Sequence, residues 1–133
     1  SDVICGGGIS SSAAFETLIG TVINEHYNNG KATAFEIAQY GWFAENVFFG
    51  KSCGLLDQTV SSFGGLVTID FKDTNAPAIE KIDFDFEKYG YTLCITDTKS
   101  SHENLTDDYV AIRKEMKEVA NYFKCEVNSR SGH

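Results

Sequence analysis

The sequence predicts an α+β fold with helices packed on one face of a mixed or antiparallel sheet, and three observations predict it. Apolar residues recur at three- and four-residue steps through the first half of the chain. A period of two replaces them between Leu66 and Thr96, and a helical period returns after Thr106. Helices, then strands, then one more helix do not make alternating βαβ units. The chain has 133 residues, 42% of them hydrophobic, which suits one compact domain with a real core.

Each element has its own signal. Phe15, Leu18, Ile19, Val22, Ile23 and His26 mark a first helix that begins in the Ser10-Ser11-Ser12 run and is stopped by Asn28-Asn29-Gly30. Thr33-Ala34-Phe35-Glu36 is a capping box, so a second helix starts there and runs to about Phe49 before Gly50. Phe35, Ala38, Trp42, Glu45 and Phe49 share one of its faces. Leu55 to Phe63 reads as a short third helix ended by Gly64-Gly65. Leu66 to Phe71, Ile79 to Phe86 and Tyr91 to Thr96 read as three strands, separated by loops at Asn75-Ala76-Pro77 and Lys88-Tyr89-Gly90. The last helix starts near Thr106, with Tyr109, Ile112, Met116, Val119 and Phe123 expected inward and Arg113, Lys114, Lys117 and Glu118 mainly outward.

Charge narrows the partners. A net charge of −8 without clustered Lys and Arg argues against a nucleic-acid surface and toward small molecules. No apolar stretch is long enough to span a bilayer, and the basic-then-apolar pattern of a secretory signal is absent, so the expectation is a cytoplasmic protein that meets no membrane. Cys5, Cys53, Cys94 and Cys125 are widely spaced without a C-x-x-C pair, as expected of reduced thiols. Asn104-Leu105-Thr106 fits a glycosylation acceptor only formally, because no secretory signal accompanies it.

Chemistry concentrates before the first helix. Gly6-Gly7-Gly8-Ile9-Ser10-Ser11-Ser12-Ala13 places flexible glycines and hydroxyls where a helix begins. Backbone can then approach a phosphate closely, free N–H groups and the positive dipole end favour the anion, and a serine can serve a magnesium ion. A glycine linker followed by a serine helix cap reads the same run structurally. The dinucleotide fingerprint G-x-G-x-x-G fails because Ser11 stands where its last glycine belongs. Gly50-Lys51-Ser52 imitates the tail of a P-loop, yet Glu45 stands where its first glycine belongs. Glu45, in line with aromatic residues, is either a rim residue or a functional acid. Asp57 falls in the first turn of the third helix, where the anion is favoured, and is either a capping residue or a positioned base.

Taken together, Gly6 to Ala14, Ala44-Glu45-Asn46, Cys53-Gly54-Leu55-Leu56-Asp57-Gln58, Thr96-Asp97-Thr98 and His102 to Tyr109 resemble the GHMP family of small-molecule kinases, and within it the branch that phosphorylates galactose. The resemblance runs through almost the whole chain. It implies part of the N-terminal, ATP-binding domain, with a ribosomal-protein-S5-domain-2-like fold. The reaction it implies is transfer of the ATP γ-phosphoryl to the anomeric hydroxyl of galactose with Mg2+. Carried over by position, Asp57 is the catalytic aspartate, acting as base or as an electrostatic and orienting group. Ser11 and Glu45 are the metal ligands, Gly54, Asp57 and Tyr109 contact the sugar, and Gly6, Gly7, Gly8, Ser10, Ser11, Ser12 and Ala13 hold the ATP phosphates. Phosphoryl transfer asks mainly for positioning and charge neutralisation, which such a set supplies.

Departures from the family pattern carry their own expectation. The family's strand-rich segment with a catalytic arginine and a sugar-binding Gly-Glu-His-x-Asp-Tyr motif does not occur here, nor does its C-terminal domain, so the expectation is a single partial domain truncated at both ends. Little or no turnover is then expected of this polypeptide alone. Rival readings are another kinase of the family, acting on N-acetylgalactosamine or a non-sugar alcohol, and a non-catalytic sugar- and ATP-sensing regulator on the same fold. Intact Ser11, Glu45 and Asp57 favour the enzyme.

Overall fold

A computed structural model describes residues 3–4, 8–96 and 106–124, the side chains at 106, 107, 109 and 113 excepted. In chain order the elements are α1 (Ser11–Asn28), α2 (Ala34–Phe43) continuing into a π-helical turn (Ala44–Phe48), α3 (Leu56–Phe63), β1 (Leu66–Asp70), β2 (Ala78–Ile82), a 3-10 turn (Glu87–Tyr89) and α4 (Thr106–Tyr122). The architecture is α+β: α1, α2 and α3 pack on one another, and α3 leads into a two-stranded antiparallel sheet.

The turn between α1 and α2 is held by one side chain. Asn29 adopts the left-handed conformation at φ 54° and Gly30 follows at φ 67°, which ends α1 where the asparagine–glycine signal predicts. Buried Asn24 then donates through Nδ2 to the Ala32 carbonyl at 3.1 Å and accepts at Oδ1 from the Ala32 N–H at 2.9 Å. The capping box of α2 forms as expected: Thr33 Oγ1 accepts from the Glu36 N–H, and the Glu36 carboxylate accepts from the Thr33 N–H at 2.7 Å. These bonds hold the Glu36 carboxyl below its ordinary value. Thr33→Ala is expected to lower the unfolding free energy by about 1 kcal/mol, read as a shift of the urea midpoint at unchanged slope.

Small and hydroxylic residues let the three helices approach closely. Ala13, Thr17, Ala38 and Thr59 are buried, and a Cβ added at Gly20 would stand 3.2 Å from Ile37 Cγ2. The hydroxyls of Thr17 and Thr59 are satisfied locally, Thr17 donating to the Ala13 carbonyl at 2.8 Å and Thr59 to the Leu55 carbonyl at 2.7 Å. The apolar stripe that announces α1 lies elsewhere: Phe15, Leu18, Ile19, Val22 and Ile23 are exposed.

Four expectations need correction. Regular α-geometry ends at Phe43 rather than near Phe49, and the π turn adds residue-to-residue offset, so Phe49 leaves the Ala38–Glu45 face and is 75% exposed. β1 and β2 pair from Leu66↔Ile82 to Asp70↔Ala78, but β2 stops at Ile82, not Phe86. Beyond it, Phe84 stacks on Tyr89 at 5.0 Å and meets Phe86 edge-on, while the Asp85 carboxylate accepts from the Glu87 N–H, and the chain bends back. Residues 91–96 form no strand: the Tyr91 N–H is taken by the Phe86 carbonyl at 3.0 Å, and no described strand lies alongside to complete a ladder. Finally, Ile112, Met116 and Val119 of α4, and Phe123 just after it, are exposed, because no described element packs over that stripe. Among the described residues, no helix is long and apolar enough to cross a membrane.

Candidate active site

The start of α1 is arranged for an anion. Gly8 has φ 71°, and Ser10, the N-cap, is left-handed at φ 55° and makes no side-chain capping bond. A non-glycine residue in that region is strained by about 1–2 kcal/mol, and such strain gathers at functional sites. The first helical bond runs from the Ala14 N–H to the Ser10 carbonyl at 3.1 Å, which leaves the Ser11, Ser12 and Ala13 N–H groups without intrahelical acceptors. The first turn carries no acidic residue. Donors and dipole therefore face the loop with no acidic residue of the first turn against them. Gly6 and Gly7 lie outside the described residues.

Beside that helix start stands a buried carboxylate. The π turn sets Glu45 inward, 6% exposed, so it is not a rim residue. Lys51 Nζ donates to its Oε1 at 2.7 Å, Ser12 Oγ donates to the same oxygen at 3.5 Å, and Gln58 Nε2 donates to Oε2 at 2.9 Å. The same Gln58 amide also donates to Glu16 Oε2 at 3.2 Å. Ser12 is thus the serine that reaches Glu45, while Ser11 makes no side-chain hydrogen bond with another described residue. Lys51, the lysine of the false P-loop motif, follows a helix and pairs with Glu45.

The donor set suits a hard divalent cation. Magnesium prefers oxygen ligands and keeps phosphates and waters as the remainder, so one hydroxyl and one carboxylate meet its demand on the protein. Ser12 and Glu45 form such a pair, and the Lys51 ammonium on the same carboxylate oxygen shows that the position accommodates positive charge. Among the described residues no group of three or more His, Cys, Asp or Glu side chains is arranged to hold a metal ion.

Protonation follows the packing. Burial pushes the Glu45 carboxyl up, but the hydrogen bond and charge of Lys51, with the Cys53 thiol and Gln58, outweigh it and hold the group below its ordinary value. Burial raises Glu16, the nearby charge of Glu45 raises it further, and the Gln58 hydrogen bond opposes both. Burial, reinforced by Glu45, pushes the Cys53 thiol up to about 12. Cys53 also accepts from Asn46 Nδ2 at 2.9 Å, and its carbonyl accepts from Trp42 Nε1 at 3.2 Å. Because the thiolate is the nucleophile, iodoacetamide is expected to label exposed Cys94 well ahead of Cys53 at pH 8. Peptide mass mapping over time checks the order.

Asp57 sits exposed in the first turn of α3 and makes no side-chain hydrogen bond with another described residue. Just before it, Gly54, Leu55 and Leu56 join Trp42, Phe43 and Phe71 around a cavity of about 440 Å³. Tyr109 lies in α4, its side chain outside the described residues. Sequence reasoning missed Glu16, Lys51 and Gln58 as parts of this site. A signal for Gln58 was present: Leu55, Gln58, Thr59 and Ser62 share one helical stripe, which puts a polar residue on a packing face.

The family description GHMP kinases N terminal domain matches residues 1–65. Galactokinases match over most of the chain: that of Streptomyces coelicolor is 33% identical over 109 residues, 82% of this chain and 28% of the relative. That of Thermotoga neapolitana is 33% identical, with 90% of this chain and 33% of the relative covered. That of Glaesserella parasuis is 34% identical over 128 residues, 92% of this chain and 31% of the relative. The chain belongs to the GHMP kinase family, a family of phosphotransferases. Within that family it is similar to galactokinases, and it spans about a third of the length of these curated relatives. No solved structure matches it.

Proposed function

We propose that this chain carries the phosphate, metal and catalytic-aspartate side of an ATP-dependent kinase that phosphorylates galactose at its anomeric hydroxyl. The observation that carries the reading is the meeting of the uncapped α1 start with the buried Glu45 carboxylate through Ser12. An anion site and a cation site so joined suit a metal–nucleotide complex. The names of the galactokinase relatives supply the acceptor.

In this reading the N–H groups of Ser11, Ser12 and Ala13, with Gly8 and Ser10 shaping the loop and Gly6 and Gly7 ahead of it, hold the ATP phosphates. Glu45 and a hydroxyl of Ser11 or Ser12 hold Mg2+, which supplies charge neutralisation at the transferring phosphoryl when bound. Asp57 accepts a hydrogen bond or proton from the anomeric hydroxyl, with Gly54 and Tyr109 contacting the sugar. In this reading the chain, about a third as long as these relatives, turns over little by itself.

The test is galactose-dependent ADP release with ATP and Mg2+, comparing this chain with the full-length protein in one assay. Activity in the full-length protein alone fits the reading. Activity with N-acetylgalactosamine but not galactose changes the acceptor, and no activity in either protein favours a sensing role on the same fold.

A further inference from the structure

Gln58 is the most buried large side chain of the site, at 1% exposure, and it bonds to both carboxylates around it. Its Nε2 donates to Glu45 at 2.9 Å and to Glu16 at 3.2 Å, joining a carboxylate on α1 to one on the π turn after α2. Its Oε1 is buried with no hydrogen-bond partner among the described residues. The reverse amide orientation would turn that oxygen toward two carboxylates, so the charges fix the direction. An orphaned buried acceptor is unfavourable, and native structures keep such atoms where another demand outweighs packing. Gly41 makes the room: a Cβ there would stand 3.3 Å from Gln58 Cγ and 3.3 Å from Glu16 Cβ.

We infer that Gln58 is a positioning residue for the cation-holding carboxylate, orienting Glu45 from the helix that carries Asp57. The inference rests on the proposed reading of Glu45 as a metal ligand. Ligating carboxylates are themselves held by hydrogen bonds, and loss of such a partner typically weakens metal affinity about 10–100-fold. Gln58 spans two functions because it follows Asp57 directly: any shift of the α3 start relative to Glu45 is opposed by this one amide. Glu16 is the counterweight that takes the second share of the N–H donors.

The test is a double-mutant cycle on the full-length protein, read by Mn2+ binding in the presence of a non-hydrolysable ATP analogue, with the free-Mn2+ electron paramagnetic resonance signal as the measure. Gln58→Met keeps length and packing without donating. It is expected to weaken Mn2+ binding about 10–100-fold, and to have no further effect in a Glu45→Gln background. Unchanged Mn2+ affinity, or an equal loss in both backgrounds, would overturn the inference. Circular dichroism checks folding, and if Gln58→Met unfolds, Gln58→Leu, which also cannot donate, replaces it with the same expectation. Wild-type protein that binds Mn2+ with the analogue yet does not phosphorylate galactose overturns the proposed acceptor and leaves Gln58 judged by the cycle. Wild-type protein that binds no Mn2+ overturns both.

Discussion

Asp57→Asn in the full-length protein is expected to reduce turnover about 10²–10⁴-fold, the range for a positioned proton-transfer group, while ATP binding stays intact. The geometry separates the two effects. Asp57 is exposed at the start of α3, makes no side-chain hydrogen bond with another described residue, and belongs to a different element from the α1 start proposed to hold phosphates. The change keeps size and removes only charge and basicity. Its cost in stability is confined to the helix-dipole contribution, about 0.3–1 kcal/mol. Steady-state kinetics with calorimetric ATP binding checks the pair of outcomes. Retained turnover would refute the role of Asp57, and lost ATP binding would refute its separation from the nucleotide site.

Glu45→Ala has the opposite profile, striking the fold and the site together. The substitution strips Gln58 of one acceptor in a buried position and removes the partner of Lys51, and hydrogen bonds to charged groups are each worth about 1.5–3 kcal/mol. Lys51 can return to water, its side chain being 55% exposed, so the loss is expected near about 2–3 kcal/mol. Urea unfolding measures it. Since the folded-state value of Glu45 lies below the 4.5 of a free glutamate, its contribution is complete above that value and is lost as pH falls through the folded one. Glu16 has the opposite sign: its value is raised, so its ionised form opposes folding at higher pH. The acid-side decline should therefore be shallower in Glu45→Gln than in the unaltered chain. An equally steep decline would assign the pH dependence to other groups.

Local signals were read correctly where the chain itself supplies the partner. The Asn28-Asn29-Gly30 stop and the Thr33–Glu36 box are closed within a few residues, and the structure forms both. Misreadings arose where the partner is distant. Residues 91–96 alternate like a strand, but a strand exists only beside another, and none of the described ones is there. The α4 stripe shows which face is apolar without showing what covers it. No periodicity announces the π turn, since Glu45 and Phe49 fit a continuous helix equally well until Phe49 is found outside. Sequence alone leaves Glu45 between two readings because Ser12, Lys51 and Gln58 come from three stretches of chain. Its burial is a tertiary fact.

Helix α1 carries close-packed small residues on one side, Ala13, Thr17 and Gly20, and large exposed apolar residues on another, Phe15, Leu18, Ile19, Val22 and Ile23. The two sides therefore tolerate change by different rules. On the first, size is the constraint: even a methyl at Gly20 meets Ile37, whatever its polarity. On the second, exchange among leucine, isoleucine, valine and phenylalanine is nearly free in this structure. In this chain a Gly20→Ala change is accordingly limited by volume, whereas a conservative apolar exchange at Phe15 meets no such limit.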